Sequence, residues 1–232
     1  MVSSFDQSLV SVEALARCDD GEGNLISPNR FIPLAEQTGL IIPLGELIID
    51  GALAQLRTWH DEGNTSLRMA INVSPRQFQS ADLVDLFARA LSRYQLVASS
   101  VEIQITETLL LDVTPTAERV INELSEMGLT LSMDDFGTGY SSLTSLRRFP
   151  ISTLKIDRSF VRGVPDSHDD SRLIDAIVKM AHGIGLKLVR EGVETPAQHA
   201  FLAELGCEFQ QGFLFGKPAP AVAASKEPAM IT

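Results

Sequence analysis

Cysteine, histidine and positive charge are scarce in this chain, and long apolar runs are missing. Its 232 residues include two cysteines, Cys18 and Cys207, too few for a disulfide scaffold. There is no signal-peptide pattern, and no apolar run reaches the roughly 18 residues of a membrane span. Together these absences set the expectation of a cytoplasmic protein, leaving open a span elsewhere in a longer parent chain. The 19 Lys and Arg against 30 Asp and Glu give a formal charge of −11 with no long basic stripe, which argues against duplex nucleic acid as a partner. A small anionic ligand then requires cations, or local Arg and Lys groups, at its site. His60, His168, His182 and His199 form no ligand motif, and no Pro/Gly/Ser linker divides the chain. With 44% hydrophobic residues the sequence predicts one large domain.

Short β-rich stretches alternate with stretches of helical period. Leu9–Leu15, Arg68–Val73, Val101–Thr106, Thr130–Met133, Thr153–Ile156, Lys187–Val189 and Glu208–Phe215 read as seven strands. Between them Pro43–His60, Ala81–Tyr94, Thr114–Met127, Ser141–Phe149, Ser171–Ile184 and Pro196–Leu205 repeat apolar residues at helical spacing. This α/β alternation predicts a parallel sheet covered by helices, with a closed (β/α)8-type barrel competing against a doubly wound open sheet. Met1–Gln7 is polar and reads as loose.

Polar residues gather where these strands end. Asn72, Glu107, the pair Asp134 and Asp135, and Glu191 each close or follow a strand, Lys155 and Asp157 lie in or beyond another, and Glu13 interrupts an apolar one. A barrel brings such ends to one face. By alternation Glu107 shares a side with Val101, Ile103 and Ile105, and Asp134 with Ser132. Carboxylates converging without a cation would repel one another, and an oxygen-only donor set suits Mg²⁺ or Mn²⁺. The residues alone also admit caps and solvated loops for the acids, a salt bridge for Lys155, and an Asp19 or Asp20 partner for Arg17. Met127, Met133 and Met180 read as core.

A series of matches in fixed order then narrows the reading. Glu13-Ala14-Leu15 is followed by Arg17, then Ile26-Ser27-Pro28 with Phe31 to Glu36, Asn72-Val73-Ser74, Glu102 to Glu107, Asp134 to Leu143, Leu154 to Val161, Glu191 to Thr195, and Gln211 to Phe215. This series resembles the EAL family of cyclic di-GMP phosphodiesterases over about Val10 to Pro218. The resemblance implies a modified TIM (β/α)8-type barrel over 10–218, preceded by a short remnant, 1–9, and followed by a flexible tail, 219–232. It further implies hydrolysis of cyclic di-GMP to linear 5′-pGpG with two divalent cations, Mg²⁺ or Mn²⁺. In that likeness Glu13, Asn72, Glu107 and Asp134 resemble ligands of a first cation, with Asp134 bridging to a second held by Asp135. Glu191 resembles the acid that holds or orients water at the second cation, and Lys155 the catalytic group beside it. Arg17 resembles a phosphate contact, while Glu194, Gln211 and Asp157 look like supporting residues.

Three departures from the family pattern carry expectations of their own. The antiparallel first strand with a Gln-Pro pair is missing, so an N-terminally truncated barrel of about seven family strands is expected, with two open edges. Cys18 stands where a tryptophan is common, and Arg190 where alanine is usual. The resemblance also implies a homodimer coupled to the site through Asp135–Ser142, and leaves room for an upstream sensory or regulatory domain. A silent receptor for the dinucleotide, or an interaction module, is the alternative to an enzyme.

Overall fold

The computed structural model describes residues 1–111, 113–137 and 143–221. In chain order the first half holds strands β1 (Val2–Ser3), β2 (Ser11–Ala14), β3 (Cys18–Asp19) and β4 (Leu25–Ile26). Helices α1 (Pro28–Thr38) and α2 (Ile41–Asp61), strand β5 (Arg68–Asn72) and helix α3 (Asp82–Tyr94) follow. Next come β6 (Val101–Thr106), α4 (Glu107–Leu111), α5 (Pro115–Glu126), β7 (Thr130–Phe136), α6 (Leu143–Arg148) and β8 (Thr153–Ile156). The last elements are α7 (His168–Gly183), β9 (Lys187–Arg190), α8 (Pro196–Glu204) and β10 (Phe209–Gln210).

Eight strands form one mixed sheet in the order β1-β10-β9-β8-β7-β6-β5-β2, and β3 with β4 makes a separate antiparallel ribbon. Neighbours from β2 round to β10 are parallel, and β1 runs antiparallel to β10 through Val2–Gln210 and Ser3–Phe209. The sheet nearly closes: Val2 bridges Leu9, and the Val10 N–H donates to the Met1 carbonyl at 3.1 Å. A seam between β1 and β2 stays unsealed, because β1 is only two residues long. The barrel alternative is therefore the one adopted.

Two expectations change here. The sheet has eight strands where seven were read: Val2–Ser3, antiparallel to β10, supplies the first strand that was expected to be missing, so the two edges expected to be open nearly meet. Met1–Gln7 is not loose throughout, since Val2 is buried and the Ser4 N–H donates to the Glu208 carbonyl. A two-residue strand leaves too short a pattern for periodicity to find. The last strand is shorter than expected: Phe209–Gln210 pairs, and the chain then turns. Helix α1 and the β3/β4 ribbon are additions to the strand-and-helix pattern.

Apolar residues on the outer side of the sheet and the inner faces of the helices form one core. Ile71, Ile103, Ile105, Leu131, Met133, Leu154, Ile156 and Leu188 meet Ile49, Leu53, Leu56, Phe87, Val120, Leu124 and Ile174 there. Met133 is fully buried, and Met127 and Met180 pack against the core as expected. Local chemistry sets the helix starts: Thr114 caps α5, Ser167 caps α7, and Thr195 with Gln198 forms a capping box on α8. Among the described residues no helix is long and apolar enough to cross a membrane. The expected start of a helix at Ser141, the loop 138–142 and the tail from residue 222 lie outside the described residues.

Candidate active site

With the apolar residues of alternate strand positions turned outward, the intervening polar ones face the barrel interior. There the Lys155 ammonium of β8, almost fully buried, lies 2.7 Å from Glu191 Oε1, 2.9 Å from Asp134 Oδ2 and 3.8 Å from Glu13 Oε2. Glu13 on β2 is held from both sides. Asn72 Nδ2 donates to its Oε1 and Gln211 Nε2 to its Oε2, each at 2.8 Å. Gln211 reaches Glu13 because the turn after β10 packs backbone against backbone on Val193. A Cβ on Gly212 would lie 2.1 Å from the Val193 carbonyl oxygen, so only glycine fits.

Strand alternation would send Asp134 and Asp135 to opposite sides. The pairing of β7 with β8 instead slips by one residue between Met133 and Phe136, and Asp135 takes a left-handed φ of 56°. The bulge re-aims the second carboxylate, so that oxygens of Asp134, Asp135 and Glu191 lie within 4.8 Å of one another. Oxygen donors at that spacing fit a hard divalent cation, and the Lys155 ammonium supplies positive charge among them.

The electrostatics follow from this crowding. Burial alone would lower the Lys155 pKa, but Glu13, Glu191 and Asp134 outweigh it and hold the ammonium charged well above its ordinary range. Burial acts on Glu13 in the opposite sense, and Lys155, Gln211 and Asn72 bring its carboxyl below the usual range. For Glu191 burial prevails over Lys155, and with repulsion from Asp134 and Glu13 it is pushed up to about 7. Asp135 is also raised, by burial and by Asp134 and Asp157.

The remaining expected residues lie in other places. Strand β6 ends at Thr106, and Val101, Ile103 and Ile105 face the outer core, so the parity assigned to Glu107 does not hold. Glu107 opens α4 instead, and its Oε2 accepts from the Gly137 N–H at 3.2 Å, at the entry to the segment after β7. Asp157 caps the turn that follows β8 by accepting from the Ser159 N–H at 2.9 Å. Arg17 donates to the neighbouring Ala16 carbonyl, while Asp19 and Asp20 accept from Gly21, Glu22 and Asn24, so the Asp19 or Asp20 pairing is not formed. Arg190 points away from the site into the layer beneath α7, where it contacts Cys207 Sγ and the Ile174 carbonyl. Cys18 lies on the β3/β4 ribbon.

An open cavity of about 1190 Å³ adjoins the cluster. Glu13, Arg17, Arg158, Glu191, Glu194 and Gln211 form part of its wall. Sequence reasoning missed Gln104, which sits in register with Asn72 and is buried beside Glu13 and Lys155. Its signal was an uncharged polar residue at the centre of Val-Glu-Ile-Gln-Ile-Thr, on the parity opposite to the apolar positions.

Comparison with known proteins agrees with the fold. The family model described as the EAL domain matches residues 1–218. The chain is 45% identical over 213 residues to the bifunctional diguanylate cyclase/cyclic di-GMP phosphodiesterase MucR of Pseudomonas aeruginosa, covering 92% of this chain and 31% of that protein. It is 40% identical over 213 residues to the cyclic di-GMP phosphodiesterase PdeR of Escherichia coli, covering 92% and 32%. The chain thus spans about a third of the length of these curated relatives. Among solved structures it resembles the PaMucR phosphodiesterase in its c-di-GMP complex, with a TM-score of 0.90 and 43% identity over 96% of this chain and 90% of that one.

Proposed function

The chain belongs to the family of EAL domains, and on that premise we propose that it is a phosphodiesterase that opens cyclic di-GMP to linear 5′-pGpG. The observation that carries this reading is the convergence of Asp134, Asp135 and Glu191 within 4.8 Å around a buried lysine. Glu13, Asn72 and Asp134 are suited to hold one divalent cation, Mg²⁺ or Mn²⁺, and Asp135 with Glu191 a second, with Asp134 shared. Such cations, when bound, activate water and stabilise charge on the phosphoryl oxygens. They also offset the net charge of −11 against an anionic substrate.

The chain's own groups do the rest. Lys155 Nζ engages Glu191 Oε1, leaving Oε2 to take a proton from the attacking water. The water oxygen joins phosphorus, the bond to one 3′ oxygen breaks, and the proton taken up by Glu191 is passed to that oxygen, which leaves as a hydroxyl. Arg17 and Arg158 on the cavity wall are placed to receive phosphate oxygens, with Arg17 reoriented from the Ala16 carbonyl. Gln211 keeps Glu13 in place, Asp157 shapes the turn that carries Arg158, and Glu194 borders the cavity. Glu107, which the resemblance placed among the cation ligands, is assigned to fixing Gly137 at the entry to the following segment. We further propose a homodimer, to be checked by sedimentation, and a cytoplasmic setting consistent with the free thiols Cys18 and Cys207.

Incubation of the folded chain with cyclic di-GMP and Mg²⁺ or Mn²⁺, beside Glu13→Ala, tests the proposal. Cation-dependent linear product that disappears in the folded variant supports it. Tight binding without product in either metal replaces it with a receptor.

A further inference from the structure

Gln104 is buried at the centre of β6, next to Asn72 in the register with β5 and next to Ser132 in the register with β7. The orientation of its amide that satisfies its neighbours turns the carbonyl oxygen toward Lys155 Nζ at 2.8 Å. Its nitrogen then faces Glu13 Oε1 at 3.2 Å and the Asn72 amide, with Oδ1 and Nδ2 both at 3.1 Å, of which Oδ1 is the acceptor. Counting donors shows what this achieves. An ammonium has three N–H groups, and Glu191 Oε1, Asp134 Oδ2 and Gln104 Oε1 provide three acceptors within 2.9 Å. The two N–H groups of the amide are matched by the two oxygens of Glu13 and Asn72. A cation on one side and a carboxylate on the other are thus joined by a neutral group that both donates and accepts.

We propose that Gln104 is a positioning residue whose neutral amide ties Lys155 to the Glu13–Asn72 pair and limits how strongly that pair takes up a divalent cation. The inference rests on the reading that Glu13 and Asn72 hold such a cation. A glutamate at this position would still accept from Lys155. Its second oxygen would face Glu13 Oε1 at close to the 3.2 Å now spanned by a hydrogen bond, a repulsion that a bound divalent cation relieves. Methionine, of similar length, would remove both functions: Lys155 loses an acceptor, and Glu13 and Asn72 each lose a donor.

The test compares Gln104→Glu and Gln104→Met with the parent chain. Mn²⁺ binding is measured by calorimetry without substrate, melting in chelator and in Mn²⁺, and kcat and KM for cyclic di-GMP. Changes in groups that orient metal-site side chains alter affinity or activity by about 10–100-fold, which sets the scale expected here. Gln104→Glu should bind Mn²⁺ at least about tenfold more tightly, melt lower than the parent in chelator and recover in Mn²⁺. Gln104→Met should lose at least about tenfold in kcat with KM unchanged, because Lys155 is displaced without loss of the phosphate contacts. Parental Mn²⁺ affinity in Gln104→Glu, or parental kcat in a folded Gln104→Met, overturns the inference. If Gln104→Met does not fold, the Mn²⁺ titration of Gln104→Glu decides alone. Should the parent show no turnover, the phosphodiesterase reading fails while the Mn²⁺ and melting measurements still judge Gln104.

Discussion

Replacing Lys155 by methionine in metal-free protein isolates the electrostatics of the site. The ammonium is buried with Glu191 Oε1 at 2.7 Å and Asp134 Oδ2 at 2.9 Å. At an effective dielectric constant of about 20 each contact is worth about 6 kcal/mol of Coulomb attraction, most of which desolvation takes back. Breaking a buried ion pair by removing one partner costs about 3–5 kcal/mol, and that loss is expected at neutral pH in chelator. Acidification should repair part of it, because protonating Glu191 removes one of the charges that Lys155 had balanced. Divalent cations should repair it too, by supplying positive charge among the same oxygens. Urea unfolding of both proteins at about pH 5 and about pH 7.5, with chelator and with Mn²⁺, measures each part. A loss below about 1 kcal/mol at neutral pH, or one equally large at both pH values, would refute the view that Lys155 is the counter-charge of a strained acidic cluster.

The parent chain has its own pH dependence. Glu191 titrates at about 7 in the folded state against an ordinary 4.5, so between those values the native state binds more protons and stability falls as pH rises, by at most about 3 kcal/mol. Urea midpoints across that window, in chelator, check the sign, and Glu191→Gln should flatten the slope. Gly212→Ala forces a methyl group into the Val193 backbone, with an expected loss of about 1–3 kcal/mol and a fall in turnover through Gln211; denaturation and steady-state kinetics test both. Glu107→Ala removes the acceptor of the Gly137 N–H, a cost of about 1–3 kcal/mol visible as faster hydrogen exchange at Gly137, and Glu107→Gln should rescue it. Arg190 carries a buried nitrogen, Nη1, with no acceptor among the described residues, so Arg190→Met is expected to be neutral or stabilising by about 1–4 kcal/mol in urea unfolding, with turnover unchanged.

The alternation of strands and helices was legible because each buries a continuous apolar face, and β6 and β8 fall at the residues read from the sequence. The acids at strand ends were legible for the same reason: a polar residue closing an apolar strand has few places to go except the barrel mouth. Parity failed where the backbone breaks its own period. Glu107 was placed by extending β6 one residue too far, into a helix that redirects its side chain. Asp135 reaches the site only through a bulge and a left-handed residue, neither of which leaves a mark in local composition. Gln104 escaped notice because it carries no charge, although the alternation that put Ile103 and Ile105 outward also put it inward.

The nearly closed barrel bears on the chemistry through one short path. Strand β1 pairs with β10, and the chain leaving β10 delivers Gln211 onto Glu13 of β2 at 2.8 Å. Strands β1 and β2 flank the unsealed seam, and because Gln211 follows the strand on which β1 is paired, its bond to Glu13 reaches across that seam to β2. A residue that holds a cation ligand therefore also ties the two ends of the sheet together. Loosening β1, for example by Val2→Asp, should then act on Glu13 as well as on stability. The expected pattern is a weaker Mn²⁺ affinity together with a lower urea midpoint, whereas a lower midpoint at parental Mn²⁺ affinity in the folded protein would show that the seam and the site are independent.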